Sequence, residues 1–226
     1  MEELRTRLII ILIAVALCAV AGWFISMPVL DYVKSLSHVK LQALSPQTPF
    51  MVRMKISLVL GVALSCPIIF TEIWLFVAPG LYPHEKKYAL PTIFVAVILF
   101  LVGGAMGLYS VPLSLRFFEN FGGGVVEFNY TLDKFVSFIS GFVLSFGFVF
   151  ETPLVLFFLA KIGVVNYKFL AKNRKYAILI TMAAAAVVTP SVDVLSMLIL
   201  FIPLYLLYEA SLFMIRFTKP GRRIEK

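Results

Sequence analysis

Residues 8–30 read LIIILIAVALCAVAGWFISMPVL, a stretch that contains no charged side chain. As a helix, these 23 residues would rise about 34 Å, enough to cross the ~30 Å hydrocarbon core of a bilayer. Arg5 and Arg7 precede the stretch as in a secretory signal, but no small-residue cleavage site follows it. The stretch therefore predicts a membrane-spanning helix that the protein retains.

The rest of the chain continues this apolar pattern. Hydrophobic residues make up 61% of the sequence, charged residues 14%, and the mean hydropathy is +0.98. Soluble domains are about half apolar and a quarter charged. The stretches that qualify as spans, or nearly do, are residues 8–30, 56–78, 88–111, 135–160, 176–190 and 194–215. The fifth is short because Pro190 limits it. We expect an all-α, polytopic membrane protein in which residues 1–226 form one membrane domain with six transmembrane helices.

The basic residues indicate the orientation of these spans. One side of the predicted membrane holds 14 of the 20, namely Arg5, Arg7, Lys86, Lys87, Lys161, Lys168, Lys172, Arg174, Lys175, Arg216, Lys219, Arg222, Arg223 and Lys226. The positive-inside rule places this side, with both termini, in the cytoplasm. The net charge of +8 needs no nucleic-acid partner, because the basic residues lie in short clusters between apolar stretches and form no basic helix face.

Two connections on the other side are long. Residues 31–55 and 112–134 separate consecutive spans, whereas the last connection is a short hairpin around residues 189–193. Connections of the first two lengths usually carry structure of their own. We expect short amphipathic or re-entrant helices that form extracytoplasmic caps.

Three glutamates lie inside predicted spans, where ionisable groups are costly and usually functional. Glu151 is ten residues before Lys161 and so about 15 Å from that boundary, near the middle of the membrane. Glu72 and Glu209 lie about 10 Å deep by the same rise. No Lys or Arg lies deep in a span, so the sequence offers these glutamates no basic partner.

Several roles are open to these glutamates. Each carboxyl could be protonated, or bonded to backbone groups that nearby prolines free, and would then be structural. A proton or cation relay is another role, and it makes a proton- or cation-coupled secondary transporter that uses Glu151 the alternative function. Relays usually have His or basic partners along a path, however, and none is evident here.

An enzyme is not expected. The sequence has no HExxH, no Gly-x-Ser-x-Gly and no phosphate-binding glycine-rich loop. His38 and His84 both lie outside the spans, so a membrane hydrolase would lack its general base. Cys18 and Cys66 fall in apolar stretches with no CxxC pattern, which indicates unpaired structural residues. We therefore expect no catalytic residue, no metal and no cofactor.

An ordered set of motifs points to a known family. The motifs are Glu3-Leu4-Arg5, Ala78-Pro79-Gly80-Leu81-Tyr82, His84-Glu85-Lys86-Lys87, Phe146-Gly147, Phe150-Glu151-Thr152-Pro153, Lys172-Asn173-Arg174-Lys175-Tyr176, Thr189-Pro190 with Asp193, and Ile202-Pro203-Leu204-Tyr205 with Glu209. In order and spacing, from about residue 3 to 217, they resemble the TatC family. TatC is the six-span receptor core of the twin-arginine protein translocase.

The resemblance implies a fold, a function and partners. The fold would be a glove-shaped bundle with a concave face, in the cytoplasmic (inner) membrane. The function would be to bind signal peptides with consecutive arginines and to export folded cargo proteins, driven by the proton-motive force. The partners would be TatA- and TatB-type single-span subunits, in an assembly with several copies of the chain, surrounded by the lipid bilayer.

The resemblance also implies roles for individual residues. The contacts to the arginine pair would be Glu3 and Glu85, surrounded by Leu4, Arg5, Phe76, Pro79, Leu81, Tyr82 and His84. The intramembrane groove would contain Glu151, with Glu72 and Glu209 also inside the spans. Assembly would involve Pro28 at the first cap, together with Thr189, Pro190 and Asp193 at the last hairpin. Glu72 replaces a glutamine common in the family, which would add an unpaired acid near the groove.

Overall fold

The computed structural model describes residues 2–36, 41–78, 89–121, 130–161, 163–188 and 194–217. In this part of the chain, eight helices and two short strands follow in the order α1 (Glu2–Ser35), β1 (Leu41–Gln42), α2 (Thr48–Val77), α3 (Ala89–Phe121), β2 (Tyr130–Thr131), α4 (Leu132–Phe150), α5 (Thr152–Lys161), α6 (Tyr167–Lys172), α7 (Arg174–Val188) and α8 (Val194–Phe217).

The prediction of an all-α, polytopic membrane protein is confirmed. Five described segments are long and apolar enough to cross a bilayer, namely Glu3–Ser35, Thr48–Val77, Leu90–Asn120, Leu132–Lys161 and Val194–Arg216. The predicted span 176–190 corresponds to α7, whose 15 residues rise only about 22 Å. A helix this short needs a locally thinner bilayer or close neighbours. The count of six spans therefore stays a prediction.

The fourth predicted span, 135–160, is divided at Glu151. Residue 151 is a turn between α4 and α5, and its N–H donates to the carbonyl of Phe148 at 3.1 Å. The cause lies two residues later, because Pro153 has no N–H to donate to the carbonyl of Val149. The hydroxyl of Thr152 donates to that carbonyl instead, at 2.6 Å. The sequence Glu-Thr-Pro therefore breaks the helix and still satisfies its backbone.

The expected cap helices do not occur among the described residues. Instead, α1 and α3 continue as helices past their predicted ends, to Ser35 and Phe121. The two connections meet where β1 pairs with β2 in parallel, with Leu41 opposite Tyr130 and Gln42 opposite Thr131. Apolarity marks where a span leaves hydrocarbon, but a helix continues for as long as its residues favour it. The prediction of separate cap helices was therefore wrong for this part of the chain.

Neighbouring helices pack closely at glycines, which have no side chain to keep the two backbones apart. A Cβ atom on Gly61 of α2 would lie 2.8 Å from the Cβ of Ala19 of α1. In α3, a Cβ on Gly103 would lie 2.5 Å from the carbonyl oxygen of Phe146, and one on Gly107 would lie 2.9 Å from that of Phe142. Lipid is as apolar as the helices, so such close contact is a main source of their association.

The buried core joins these helix pairs. Its largest fully buried side chains include Phe142 and Phe146 of α4 and Leu200 of α8. A second, smaller cluster formed by α5, α6 and α8 contains Leu170, Tyr208 and Leu212. It lies at what we term the basic end of the bundle, where α1 begins near Arg7, α5 ends at Lys161 and α7 begins at Arg174. At the opposite end, α1 and α3 terminate and α2 and α4 begin.

Gly103→Ala is expected to destabilise the protein. Its Cβ would meet a backbone oxygen of α4, which cannot rotate away, and overpacking of this kind costs about 1–3 kcal/mol. Gly104→Ala is the matched control, because its nearest contact would be Val143 Cγ1 at an ordinary 3.5 Å. Thermal unfolding in detergent should give a lower midpoint for Gly103→Ala only. Equal midpoints for the two variants would contradict this account of α3–α4 packing.

Candidate functional site

An ion-pair network occupies the basic end of the bundle between α1 and α2. The guanidinium of Arg7 donates from Nη2 to Glu3 Oε1 at 2.9 Å and from Nη1 to Glu72 Oε2 at 3.0 Å. Glu3 and Arg7 are four residues apart and therefore lie on the same face of α1. Glu72 reaches the same guanidinium from α2, so one arginine bridges two carboxylates.

The three members of this network differ in exposure. The side chain of Arg7 is 19% exposed and that of Glu72 is 14% exposed, whereas that of Glu3 is 66% exposed. The Arg7–Glu72 pair is thus largely enclosed, and charge-assisted bonds are strong in such surroundings. Glu3 faces outward. The network consists of an enclosed ion pair and one accessible carboxylate.

The network corrects the expectation that Glu72 is an unpaired acid. Arg7 lies just before the first apolar stretch and is therefore not a residue deep in a span. Its long side chain nevertheless reaches a carboxylate on the neighbouring helix, as arginines near the ends of spans often do. Because α1 and α2 run antiparallel, the start of α1 and the end of α2 lie at the same end of the bundle. Including basic residues at the span ends would have identified Arg7 as a candidate partner from the sequence.

The other predicted contacts to the arginine pair are only partly described. Leu4, Arg5 and Phe76 are exposed at the basic end. The remaining predicted contacts, Pro79, Leu81, Tyr82, His84 and Glu85, lie outside the described residues. The structure therefore brings Glu3, Leu4 and Arg5 to the same end as Phe76 and leaves the placement of Glu85 as a prediction.

Glu151 is a buried carboxyl with no hydrogen-bond partner among the described residues. Its residue is 7% exposed, and neither Oε1 nor Oε2 is bonded in this part of the chain. It lies at the break between α4 and α5, where the close approach of α3 brings Gly103 against Phe150. An unpaired carboxyl in such surroundings is costly as an anion. Glu151 therefore differs from Glu72, whose carboxylate is paired with an arginine.

Glu209 is paired, which also corrects the expectation. Arg174, at the start of α7, donates to Glu209 Oε2 at 2.8 Å, and the hydroxyl of Tyr205 donates to Oε1 at 3.2 Å. Both charged side chains are partly exposed. The pair joins α7 to α8 at the basic end. As with Arg7, the partner comes from a helix terminus that the search for deep basic residues did not include.

The residues predicted for assembly are less clearly placed. Pro28 lies inside α1 on an exposed surface, so the expectation that it belongs to a cap was wrong. Side chains supply hydrogen bonds to this part of α1, since both Ser26 and Arg53 donate to the carbonyl of Trp23, at 2.7 and 3.4 Å. The other three, Thr189, Pro190 and Asp193, lie outside the described residues.

Among the described residues, the groups suited to binding a ligand at the basic end are carboxylates, which bind cations. They contain no group of three or more His, Cys, Asp or Glu residues that could hold a metal ion. Both cysteines are unpaired, as the sequence indicated. An outward-facing carboxylate beside an enclosed ion pair is suited to binding a guanidinium or an ammonium group.

Comparisons with known proteins agree with this architecture. The sequence model of the family described as Sec-independent protein translocase protein (TatC) matches residues 1–203. The TatC protein of Carboxydothermus hydrogenoformans is 40% identical over 228 residues, which cover 97% of this chain and 92% of that protein. The TatC protein of Aquifex aeolicus is 35% identical and is aligned over 100% of this chain and 97% of its own length.

A solved structure shares the fold. The crystal structure described as the twin arginine translocase receptor TatC superposes with a TM-score of 0.83 at 34% sequence identity. The match covers 95% of this chain and 97% of the other. Sequence and structure thus agree over nearly the whole length, and the resemblance drawn from the motifs is confirmed. The chain belongs to the TatC family of Sec-independent protein translocase proteins, which are multi-pass membrane proteins of a transport system.

Proposed function

We propose that this chain is the signal-peptide receptor and core subunit of a twin-arginine translocase. In this role it exports folded proteins across the cytoplasmic membrane, driven by the proton-motive force. The solved structure that this fold matches with a TM-score of 0.83 is described as the twin arginine translocase receptor TatC. The observation that carries the proposal is the accessible Glu3 carboxylate, which already accepts a hydrogen bond from a guanidinium at 2.9 Å.

The recognition mechanism follows from the geometry of arginine. A guanidinium presents several N–H donors in a planar fork that matches a carboxylate, whereas an ammonium is a point charge. In this proposal Glu3 receives one arginine of the signal peptide, and Glu85 in the following loop receives the other. Leu4 and Phe76 supply exposed apolar surface at the same end of the bundle as Glu3. Because the site is solvated, each contact contributes modestly and weakens with salt.

The orientation and assembly are part of the proposal. The basic end would face the cytoplasm, with both termini on that side and six spans in one domain of residues 1–226. TatA- and TatB-type single-span subunits would join several copies of the chain, with Pro28, Thr189, Pro190 and Asp193 at the contacts. The inner-membrane location follows from the same family context.

A proton- or cation-coupled carrier is not favoured. Such a carrier needs a chain of polar groups that leads to the coupling carboxyl. Neither oxygen of Glu151 has a hydrogen-bond partner among the described residues, and Glu72 and Glu209 are each paired with an arginine. These contacts support a binding and assembly role for the intramembrane glutamate.

Arginine recognition can be tested by replacing carboxylates. Glu3→Gln and Glu85→Gln should each weaken the binding of an Arg-Arg signal peptide about three- to tenfold, because each removes a charge-assisted pair at a solvated site. A Lys-Lys peptide should bind the unaltered protein more weakly and should lose less in these variants. Fluorescence anisotropy with the purified chain in nanodiscs measures both.

Asp31→Asn is the matched control for that experiment, because Asp31 is an exposed carboxylate at the opposite end of the bundle. It should leave peptide binding unchanged. If Glu3→Gln and Glu85→Gln bind both peptides as well as the unaltered protein does, this end of the chain does not read arginine and the proposed receptor role is wrong.

Arg7 is expected to compete with the signal peptide for Glu3. Glu72→Gln should release Arg7 to pair with Glu3 alone, and so weaken Arg-Arg peptide binding although Glu72 faces the ion pair rather than the peptide. Arg7→Gln should free Glu3 but leave Glu72 as an unpaired charge in a largely enclosed site, which should lower the midpoint of thermal unfolding. The double variant should recover much of that stability.

Thermal unfolding of these variants in detergent measures the coupling between the two residues. If the effects of Arg7→Gln and Glu72→Gln on stability simply add, the pair contributes no coupling, and the competition mechanism fails with it.

Glu151 should act after peptide recognition. Glu151→Ala is expected to leave Arg-Arg peptide binding within about twofold, a change well below one charged hydrogen bond, since Glu151 is not part of the network that Arg7 forms with Glu3 and Glu72. Transport of a folded cargo into membrane vesicles, or capture of single-span subunits, should fall strongly. Glu151→Gln keeps the shape and removes the ionisable carboxyl, so it separates the contribution of shape from that of the acid. Loss of peptide binding together with normal assembly would reverse this assignment.

A further inference from the structure

A cleft at the opposite end of the bundle has the properties of a lipid site. α1 packs along α2 rather than along α3, and the gap between α1 and α3 contains two adjoining cavities. The outer cavity, about 570 Å³, is lined by residues that include Tyr32, Tyr109 and Arg116. The inner cavity, about 290 Å³, is lined by α1, α2, α3 and α4. Ala105 and Leu108 line both, so the two cavities are neighbours separated by these side chains at most.

The outer cavity carries a positive charge without a partner. Among the described basic residues at this end, Lys34 pairs with Asp31, Lys55 pairs with Asp133, and Arg53 bonds to Ser26. Arg116 is exposed and has neither a hydrogen bond nor an ion pair within the described part of the chain. A guanidinium in this condition is available to an anion.

The depth of the cleft matches the headgroup level of a bilayer. Charged residues begin again at Asp31 in α1 and at Arg116 in α3, after long apolar stretches. Tyr32 and Tyr109 are both exposed beside them, as tyrosines are at membrane–water interfaces. The outer cavity therefore lies where lipid phosphates lie, and the inner cavity lies in the hydrocarbon.

The inner cavity suits a hydrocarbon chain. Its lining is apolar apart from the hydroxyl-bearing Ser140. An extended acyl chain is compatible with such a lining, because it has no polar group to satisfy.

We propose that this cleft binds an anionic glycerophospholipid from the leaflet at the opposite end. The phosphate accepts hydrogen bonds from Arg116, for which a planar guanidinium is well suited. One acyl chain passes Ala105 and Leu108 into the inner cavity and fills the gap between α1 and α3. The lipid thereby fills the space between α1 and α3 and completes the packing of α1 against the rest of the bundle.

Native mass spectrometry of the purified full chain tests the proposal, with phosphatidylglycerol as the probe. Arg116→Gln should weaken binding about tenfold, as expected for the loss of a charged hydrogen-bond pair. Lys134→Gln is the matched control, because Lys134 is an exposed basic residue at the same end that does not line the cleft. The Lys134→Gln variant should bind phosphatidylglycerol as tightly as the unaltered protein does.

Two further experiments distinguish the contribution of the acyl chain to binding from that of the phosphate. Ala105→Phe should weaken phosphatidylglycerol binding by narrowing the junction of the two cavities, and Ser140→Leu should do so from α4 if the first variant unfolds. Glycerol phosphate, which lacks acyl chains, should not compete. Equal losses in Arg116→Gln and Lys134→Gln, or full binding by both cleft-filling variants, would overturn the proposal. So would a photo-crosslinker at residue 105 that captures a single-span subunit instead of lipid.

Discussion

The hydrocarbon interior of a membrane supplies no hydrogen-bond partner, and this constraint governs most of the structure. Polar side chains within the helices turn back to their own backbone. Ser57, Ser110 and Thr181 each donate to the carbonyl four residues earlier, at 2.7–2.8 Å. Even the helix break before Pro153 is closed by a threonine hydroxyl. The chain therefore presents an almost wholly apolar surface to lipid, and its few unsatisfied groups become conspicuous.

Much of the fold could be predicted from sequence because bilayer thickness fixes helix length. The apolar stretches lie within helices of the structure, although 176–190 forms only the short α7 and 135–160 is divided at Glu151. The helix ends were less predictable. α1 continues to Ser35 and α3 to Phe121, since leaving hydrocarbon does not itself end a helix. The pairing of β1 with β2 depends on contacts between distant segments, which hydropathy does not record.

The candidate site was predictable in composition but not in pairing. The sequence identified Glu72, Glu151 and Glu209 as acids inside predicted spans. Counting residues along each helix gave an approximate depth for each one. The sequence assigned them no partners, because no Lys or Arg lies deep in a span. Arg7 and Arg174 come from other helices and reach Glu72 and Glu209 from the basic end. The three glutamates are therefore not equivalent: two join neighbouring helices, and Glu151 is buried with no hydrogen-bond partner among the described residues.

The packing of helices in sequence order bears on how the chain is made. α1 fits against α2 at Gly61, and α3 fits against α4 at Gly103 and Gly107, so each close contact joins helices that are consecutive in the chain. A ribosome delivers α1 and then α2 to the membrane, and this hairpin can close before α3 is synthesised. α8 packs on α5 and α7 and comes last. Biogenesis can thus proceed hairpin by hairpin, with the final helix sealing a bundle that is already largely formed.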